Sequence, residues 1–358
     1  MSRFYPLTVG RVDRETRDAV AVTFELPPEL ADTFRFAPGQ HLTLRAHIDG
    51  EELRRSYSIC APSHEGKLRI AIKRNPGGVF SNWANDRLRP GMTLEVLPPL
   101  GHFHVPLDAS HRRHYVAFAA GSGITPVLSI IATTLAAEPQ SHFTLVYGNR
   151  ASSTVMFREE LAALKDVHLP RFNVVHVLSR EAQEIPLFHG RIDRDKVREL
   201  VRCWVRLDDV DTAFVCGPEG MMQDVKEALT SAGFSQARIR IERFATSVPR
   251  QPRLPHVVAD EQHARCEVTA VLDGVTRTFT LDKANENILE AGLRSGIELP
   301  YSCKSGVCST CRAKLVAGEV DMDANYALED YEVARGFVLT CQSYPVSDAV
   351  TVDYDRSA

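Results

Sequence analysis

Four cysteines in the C-terminal part of the chain have the spacing of an iron–sulfur site. Cys303, Cys308 and Cys311 form a C-x4-C-x2-C run, and Cys341 stands alone further along the chain. This is the spacing of plant-type [2Fe–2S] sites, in which four thiolates hold the cluster. A structural zinc site is the alternative, but such sites usually combine two paired halves, and this run has a single C-x2-C pair. The spacing therefore predicts a [2Fe–2S] cluster with these four ligands.

A second group of residues, among the first hundred, suits a flavin nucleotide. The run RSYS at residues 55–58 offers a cation for phosphate, an aromatic ring that can stack on a flavin, and hydroxyls for its ring nitrogens. Taken alone, it would equally fit a surface arginine on a strand. The run GGVFS at residues 77–81 favours the flavin, because a glycine turn that opens a helix can hold a phosphate. The predicted flavin-binding residues are Arg55, Ser56, Tyr57, Ser58, Lys73, Gly78, Val79, Phe80 and Ser81, with Tyr57 and Ser58 at the reacting ring.

A third group is the glycine turn GSGITP at residues 121–126, between a predicted strand and a predicted helix. Gly121 and Gly123 would let a pyrophosphate approach the backbone closely. Pro126 stands where the common dinucleotide fingerprint has its third glycine, so the motif departs from that pattern. A purely structural turn is the alternative interpretation.

The elements that must hold these groups change in pattern along the chain. Short strand-like runs separated by turn residues come first and indicate an antiparallel β-barrel. From residue 115 strands alternate with helices, which indicates a mostly parallel α/β sheet. The predicted barrel strands are 7–12, 19–26, 41–44, 56–60, 68–73 and 93–96, with a helix near Phe80. The predicted α/β strands are 115–120, 143–147, 174–178, 212–216 and 238–241, and the helices are 126–136, 156–164, 194–201 and 221–232.

A stretch with three prolines and few large apolar residues separates this part from the cysteine region and reads as a linker. After it, a hairpin at 266–272 and 275–281 and a short helix at 288–295 precede the cysteine loop. The predicted domains are an FAD-binding β-barrel (1–108), an NAD(P)-binding α/β domain (109–245), the linker (246–263) and a [2Fe–2S] ferredoxin domain (264–358). The fold class is therefore multidomain.

Composition excludes several other classes of protein. Of the 358 residues, 44% are hydrophobic and 25% are charged, as in ordinary globular domains. The sequence shows no long apolar run and no signal segment, so we expect a cytoplasmic protein that does not enter a membrane. The net charge of −4 offers no general basic field for nucleic acid. Acidic residues concentrate after residue 262, where the net charge is −6.

The order of these motifs resembles the ferredoxin–NADP reductase superfamily joined to a plant-type ferredoxin. The stretch LPYSCKSGVCSTC at 299–311 is similar to the ferredoxin cluster loop and implies a β-grasp fold there. The GSGITP turn matches the superfamily loop that ends in proline, and the match implies that Thr125 lies at the flavin edge. The motif CGP at 216–218 matches a second superfamily motif, which implies that Cys216 lies near the nicotinamide. An ordinary buried cysteine is the alternative.

The resemblance also bears on the choice of coenzyme. Ser179 and Arg180 follow the third α/β strand, where NADP-using relatives bind the 2′-phosphate, and Arg150 follows the second. No acidic residue ends the second strand to select the ribose diol of NAD. NADPH is therefore expected, with NADH as the other coenzyme, although merely solvated arginines are an alternative. The implied coenzyme-binding residues are Gly121, Gly123, Thr125, Pro126, Arg150, Ser179, Arg180, Cys216 and Gly217.

Phe244 belongs to the implied flavin site as well. The resemblance implies that it lies at the flavin face opposite Tyr57, although plant-type reductases end there in a terminal tyrosine and this chain continues.

Longer stretches resemble the reductase subunits of bacterial phenylacetyl-CoA epoxidases. They are FAPGQHL at 36–42, EELRRSYSIC at 51–60, YGNR at 147–150 and LFHGRID at 187–193. The likeness implies electron transfer from NADPH through FAD and the cluster to a di-iron oxygenase acting on phenylacetyl-CoA. The chain has no E-x-x-H pair for a di-iron site, so that oxygenase would be a separate polypeptide.

Two alternatives stay open at this point. The first keeps the chemistry and changes the partner to a steroid or aromatic hydroxylase, or to a hybrid-cluster protein. The second is a zinc-stabilised nucleotide-binding module without redox activity.

Overall fold

The computed structural model describes residues 3–245 and 264–356. These residues form two compact units. The larger unit contains Phe4–Leu53 and Tyr57–Arg243, and the smaller one contains the described residues from Phe244 onward together with Arg3 and Arg54–Ser56. The linker predicted at 246–263 lies outside the described residues.

The first part of the larger unit is a six-stranded barrel. Its strands lie in the order β4-β3-β6-β1-β2-β5. A bridge between Ile59, which follows β4, and Ile70 of β5 joins the two edges of the sheet. Alternate residues of the strands point inward, so Leu7 and Val9 are buried in the same core. The strands are β1 (Tyr5–Thr16), β2 (Ala19–Glu25), β3 (His41–Ile48), β4 (Glu51–Ser58), β5 (Leu68–Lys73) and β6 (Thr93–Val96).

One helix, α1 (Val79–Arg87), packs on this barrel. Phe80 and Ala84, four positions apart, lie on one face of the helix and are buried in the barrel core. The Asn85 amide donates to the carbonyl oxygen of Ile72 at 3.0 Å and so attaches the helix to β5. The helix and the strand that precedes it therefore hold the intervening glycine turn in a fixed place.

The second part of the larger unit is a five-stranded sheet flanked by helices. The strands lie in the order β11-β10-β7-β8-β9, and every neighbouring pair is parallel. Buried apolar residues run almost continuously along β7, as expected for a strand covered on both faces. The strands are β7 (His114–Ala120), β8 (His142–Asn149), β9 (Phe172–Leu178), β10 (Thr212–Cys216) and β11 (Ile239–Glu242). The helices are α2 (Ile124–Ala137), α3 (Arg158–Val167), α4 (Arg194–Trp204) and α5 (Glu219–Ser231).

Because these strands are parallel, their carboxyl ends share one edge of the sheet, which is where ligands bind in such folds. The four strand ends at this edge lead to Gly121, Arg150, Ser179 and Gly217. Every coenzyme motif predicted from the sequence thus starts at the same edge.

The smaller unit contains a mixed five-stranded sheet in the order β13-β12-β18-β14-β16. Along the chain, β12 is the first strand of this unit and β18 the last, and the two are parallel neighbours in the sheet. The helix α6 packs Ile288 and Leu289 into the core. The strands are β12 (Arg265–Leu272), β13 (Val275–Asp282), β14 (Arg312–Ala317), β16 (Phe337–Leu339) and β18 (Ala349–Asp353). A two-stranded sheet and two helices complete the unit, namely β15 (Val320–Met322), β17 (Ser343–Pro345), α6 (Ile288–Arg294) and α7 (Asp330–Ala334).

The predicted multidomain class is confirmed, with an antiparallel sheet, a parallel sheet and a C-terminal module. Every predicted strand and helix of the larger unit is present, and most boundaries differ by a few residues. The elements after the cysteine loop, from β14 to β18, were not predicted, because their short runs carry no strong alternation. None of the helices in the described ranges combines the length and apolar character needed to span a bilayer.

Candidate flavin, nicotinamide and iron–sulfur sites

The four cysteines of the C-terminal unit come together as two pairs. The thiols of Cys303 and Cys308 contact each other, and so do those of Cys311 and Cys341. The two pairs also interact electrostatically with each other. Three of the thiols are buried, while Cys303 is partly exposed. A [2Fe–2S] cluster is held by four cysteine thiolates, and two neighbouring pairs of thiols supply that number of ligands.

Donors from the loop point at the sulfur atoms. The Ser305 amide donates to Sγ of Cys303 at 3.3 Å, and the Cys303 amide donates to Sγ of Cys308 at 3.4 Å. The side-chain amide of Gln342 lies 3.5 Å from Sγ of Cys341. Hydrogen bonds to ligand sulfurs stabilise thiolate charge and tune the potential of a cluster. The loop therefore offers hydrogen-bond donors to thiolate sulfur atoms.

The backbone of this loop has unusual conformations. Lys304, Gly306 and Ser309 have positive φ angles of 52°, 74° and 48°. A Cβ on Gly306 would lie 2.9 Å from the carbonyl oxygen of Ala324. Gly306 is therefore required both by its φ angle and by lack of space.

The distant cysteine is held near the loop by hydrogen bonds from the residue after β16 and from the residue before α6. Both the amide and the hydroxyl of Thr340 donate to the carbonyl oxygen of Cys311, at 3.1 and 3.0 Å. The Asn287 amide donates to the carbonyl oxygen of Cys341 at 3.0 Å. These contacts bring the fourth thiol to the other three.

The two thiols of each pair differ in pKa. The hydrogen bond with Cys308 raises the pKa of Cys303, and the same bond lowers the pKa of Cys308. In the second pair, the bond with Cys341 raises the pKa of Cys311 and lowers that of Cys341. One thiolate of each pair forms readily, and metal binding must displace the proton that remains.

The predicted flavin run lies on β4 and its continuation. Arg55 is exposed, Ser58 is buried, and the ring centroid of Tyr57 lies 5.8 Å from that of Phe80. The guanidinium of Arg55 donates to the carbonyl oxygen of Arg54 at 2.7 Å and forms no ion pair within the described ranges. A guanidinium without a carboxylate partner fits a phosphate.

The turn before α1 is the second predicted phosphate element. Gly78 precedes the helix and no side chain caps it, so the first main-chain amides remain available to an anion. The Ser81 hydroxyl accepts from the Asn75 amide at 3.0 Å and donates to the carbonyl oxygen of Gly78 at 3.3 Å. Ser81 thus shapes the turn, and the main-chain amides are the groups that fit a phosphate.

The turn between β7 and α2 packs tightly against the end of β10. Gly121 has a φ angle of +53°, in the left-handed region that favours glycine. A Cβ on Gly123 would lie 2.1 Å from the carbonyl oxygen of Cys216. The buried Thr125 donates its hydroxyl to the carbonyl oxygen of Ser122 at 3.0 Å. The two motifs predicted separately at 121–126 and 216–218 are therefore in direct contact.

Sequence reasoning missed one residue that holds this turn. The fully buried Tyr147 of β8 donates its hydroxyl to the carbonyl oxygen of Gly121 at 3.0 Å. A tyrosine in an apolar strand gives no sign of such a role, because nothing in its pattern separates it from ordinary core residues. Pro126 lies in the first turn of α2, where proline is tolerated.

Cys216 ends β10 with a fully buried side chain. Burial raises the pKa of its thiol well above the usual value, and the nearby Glu242 raises it further. The thiol therefore stays neutral near pH 7 and is a poor nucleophile. A neutral, fixed group suits positioning a nicotinamide. The backbone of Gly217 is equally constrained, since a Cβ there would lie 2.5 Å from Cε of Met221.

The predicted coenzyme cations lie at neighbouring strand ends. The Ser179 amide donates to the carbonyl oxygen of Asn149 at 2.9 Å, and the Arg180 amide donates to that of Arg150 at 2.7 Å. Both arginines are exposed, and neither makes an ion pair with any residue that the structure describes. The arrangement fits an anionic part of a coenzyme.

Glu181 is a second residue that sequence reasoning missed. Its carboxylate accepts from the amide and the hydroxyl of Ser152, at 2.7 and 2.9 Å, and so fixes the loop after β8. The Ser152 amide lowers the pKa of Glu181 below its usual value, so the carboxylate stays ionised. Its partner lies in a different loop, and no local pattern connects the two.

Lys73 and Phe244 complete the predicted set. Lys73 ends β5, and its Nζ lies 3.3 Å from the position that a Cβ on Gly121 would occupy. Phe244 follows β11 and belongs to the smaller unit. Its position opposite Tyr57 stays a prediction.

Comparisons with known proteins agree with this division of sites. The chain matches the oxidoreductase FAD-binding domain family over residues 6–105 and the oxidoreductase NAD-binding domain family over 118–227. Residues 270–346 match the 2Fe-2S iron-sulfur cluster binding domain family. The chain belongs to the family of oxidoreductases that combine these three domains.

Individual relatives show which members of this family the chain is similar to. The chain is 48% identical to one of the subunits of the 1,2-phenylacetyl-CoA epoxidase of Escherichia coli K12, over 99% of both chains. It is 34% identical to the ferredoxin reductase component of 3-ketosteroid-9-alpha-monooxygenase from Rhodococcus rhodochrous, over 99% of this chain and 97% of that one. Phthalate dioxygenase reductase has a similar structure, with a TM-score of 0.59 and 25% identity over 98% of each chain. Oxidoreductases of this family carry FAD, NAD and 2Fe-2S domains, as predicted.

The contact between Gly123 and Cys216 leads to a testable prediction. Changing Gly123→Ala forces the turn away from the end of β10, because no room exists for the added carbon. A displacement near 1 Å in a site that aligns two reactants lowers the rate on the order of a hundredfold. We expect flavin reduction by NADPH, measured by stopped flow, to slow by that amount while FAD stays bound.

Gly220→Ala is the matched control. Gly220 lies in α5, and a Cβ there would contact nothing within 4 Å. This variant should reduce its flavin at the wild-type rate. A Gly123→Ala variant that also does so would show that the tight turn has no part in hydride transfer.

Proposed function

We propose that this chain is the reductase component of a phenylacetyl-CoA epoxidase. Electrons pass from NADPH to FAD, then to the [2Fe–2S] cluster, and finally to a di-iron oxygenase on separate polypeptides. The observation that carries the proposal is the 48% identity to the Escherichia coli epoxidase protein, which extends over 99% of both chains. A likeness of that length includes regions without cofactor motifs, so it is more specific than the cofactor motifs alone.

The cofactors and the chain have separate tasks in this proposal. FAD, when bound, takes two electrons together as hydride, and the cluster carries electrons singly. The chain binds and orients them. Tyr57 stacks on the flavin ring and Ser58 faces its edge with Thr125. The glycine turn at 121–123 admits the coenzyme, and Cys216 fixes its reacting end.

The domain boundaries belong to the same proposal. The FAD-binding barrel takes residues 1–108, the NAD(P)-binding domain 109–245, the linker 246–263 and the ferredoxin domain 264–358. The family matches at 6–105, 118–227 and 270–346 fall inside these limits and support them. Cys303, Cys308, Cys311 and Cys341 are the proposed cluster ligands. A cytoplasmic location stays a prediction from the sequence.

Reconstitution with a defined oxygenase tests the partner. The purified chain is combined with the oxygenase subunits of the Escherichia coli epoxidase, phenylacetyl-CoA and NADPH. We expect NADPH oxidation that depends on the thioester and yields its epoxide, detected by mass spectrometry. The 48% identical Escherichia coli relative, added in place of this chain, is the positive control.

The alternative partner, a steroid oxygenase, is tested in a second reaction mixture of the same experiment. The relative from Rhodococcus rhodochrous serves a 3-ketosteroid monooxygenase, so the chain is also combined with that oxygenase and its steroid. Efficient turnover of the steroid, with none of phenylacetyl-CoA, would overturn the proposed partner and leave the reductase chemistry intact. An aromatic hydroxylase or a hybrid-cluster protein as partner would leave both reaction mixtures inactive.

The order of the cofactors can be tested with one cluster ligand. Changing Cys311→Ser removes a thiolate on which the cluster depends and should abolish reduction of cytochrome c and of the oxygenase. Ferricyanide reduction, which can draw on the flavin directly, should keep most of its rate. Loss of both activities with FAD still bound would contradict the linear order. Iron analysis and the visible spectrum of the wild-type chain test the zinc-module alternative, since zinc is colourless and the cluster is not.

NADPH preference is proposed from the two arginines at the ends of β8 and β9. Arg180→Ala removes a guanidinium that we assign, with Ser179 and Arg150, to the 2′-phosphate. Loss of one charge-assisted contact weakens binding by about 1.5–3 kcal/mol, which raises KM for NADPH roughly ten- to a hundredfold. KM for NADH should change little, and kcat should be unchanged, because the phosphate is remote from the hydride. An equal rise for both coenzymes would remove the assignment.

A further inference from the structure

Three hydroxyl-bearing residues of α2 lie on one face of that helix. Thr125, Ser129 and Thr133 are spaced four positions apart, and side chains with this spacing share a face. All three are buried, in a helix whose other buried residues are mostly apolar. A serine inside a helix often bonds to a carbonyl oxygen of its own helix. The partners of Ser129 and Thr133 lie instead in the barrel, within the same compact unit.

These partners are main-chain groups of the segment that follows β4. The Ser129 hydroxyl donates to the carbonyl oxygen of Ala61 at 2.7 Å, and the Ser63 amide donates to the hydroxyl oxygen of Thr133 at 3.0 Å. Ser129 is fully buried and Thr133 nearly so, and a hydrogen bond is stronger where water is excluded. Two bonds one helical turn apart fix both the position and the direction of the segment against the helix.

The same segment is joined closely to the predicted flavin residues. Ala61 comes three positions after Ser58, the last residue of β4. Between them, the amides of Ile59 and Cys60 donate to carbonyl oxygens elsewhere in the barrel, at 2.9 and 2.8 Å. The segment therefore has little freedom of its own, and a displacement of Ala61 is passed on to Ser58.

Other contacts join the barrel to α3 and keep the two parts of the larger unit attached. Arg69 of β5 donates from one nitrogen to both carboxylate oxygens of Glu160, at 2.8 and 2.9 Å. The Phe157 amide donates to the carboxylate of Glu15, a residue of β1, at 3.2 Å. Removal of one bond at α2 therefore changes the alignment of the two parts and leaves them joined.

We propose that Ser129 and Thr133 are positioning residues for hydride transfer, because they fix the end of β4 relative to the turn that admits the nicotinamide. The inference rests on the proposed function, in which Ser58 and Thr125 both face the flavin edge. The bond between Ala61 and Ser129 completes a short path through the chain between those two residues. The two hydroxyls act through the backbone of the barrel segment and are assigned no contact with a cofactor.

Thr133→Val and Thr133→Ser form a matched pair for the test. Valine keeps the shape of threonine but lacks the oxygen that accepts from Ser63, whereas serine keeps that oxygen. In Thr133→Val and in Ser129→Ala, the limiting rate of FAD reduction by saturating NADPH, measured by stopped flow, should fall about ten- to a hundredfold, as expected for a displacement near 1 Å. The dissociation constant for NADPH and the amount of bound FAD should equal the wild-type values. Thr133→Ser should keep most of the rate.

Hydrogen exchange tests the bond itself without any coenzyme. In Thr133→Val the Ser63 amide loses its acceptor, so exchange in peptides that contain Ser63 should become faster. In Thr133→Ser the same peptides should exchange at the wild-type rate. Unchanged exchange in Thr133→Val would show that the bond does not hold the segment.

Tyr115→Phe is the control for a general loss of stability. Its buried hydroxyl donates to the Glu138 carboxylate at 3.0 Å, and both residues belong to the α/β part. This variant should reduce its FAD at the wild-type rate, even where its melting temperature falls as far as that of Thr133→Val.

Three results would overturn the inference and leave the proposed function intact. They are a wild-type rate in Thr133→Val, an equal slowing in Tyr115→Phe, and weaker NADPH binding at an unchanged limiting rate. Failure of the proposed function would show in the wild-type chain, as bound FAD that NADPH does not reduce, and would overturn the inference with it.

Discussion

The packing of one turn against a strand end is the constraint on which the larger unit depends. Gly123 faces the carbonyl oxygen of Cys216 at a distance that leaves no room for a side chain. Tyr147 holds the same turn from the other side through the carbonyl oxygen of Gly121. Hydride transfer needs two rings in contact and aligned. In the proposed function, this turn, which is fixed from the two strands on either side of β7, holds the coenzyme ring in that alignment.

The cluster loop has a different constraint, the negative charge of its sulfur ligands. Four thiolates repel one another, so the loop has to offset their charge once the cluster is bound. It does so with main-chain amides that point at sulfur, as Ser305 does toward Cys303. Lys304, Gly306 and Ser309 in this loop have positive φ angles, which residues other than glycine rarely adopt. Backbone conformations that would be unfavourable in an ordinary loop are offset here by the hydrogen bonds to sulfur.

Local patterns predicted much of this molecule, and their failures share one cause. The strands of the barrel and the helices of the α/β domain have periodic apolar residues, and the cysteine spacing is a local signal. Glu181 holding Ser152, Tyr147 holding Gly121 and Lys73 reaching Gly121 are contacts between distant segments. Such contacts depend on the order of strands in a sheet, which no short motif contains. The strands from β14 onward were missed because they are short and irregular.

The division into two units matches the two kinds of transfer proposed for this chain, hydride transfer and single-electron transfer. A hydride moves only between atoms in contact. Tyr57, Thr125 and Cys216, which we propose lie at the two reacting rings, belong to one compact unit, whereas Arg55, Ser56 and Phe244 of the predicted flavin site fall in the smaller one. A single electron passes between groups that do not touch, so the cluster can be held in a unit with a core of its own. The acidic excess of the chain lies in the same region as the cluster, with a net charge of −6 after residue 262, while the residues before it carry +2. A net charge of this kind favours fast, oriented encounter with a partner of opposite charge more than it tightens binding.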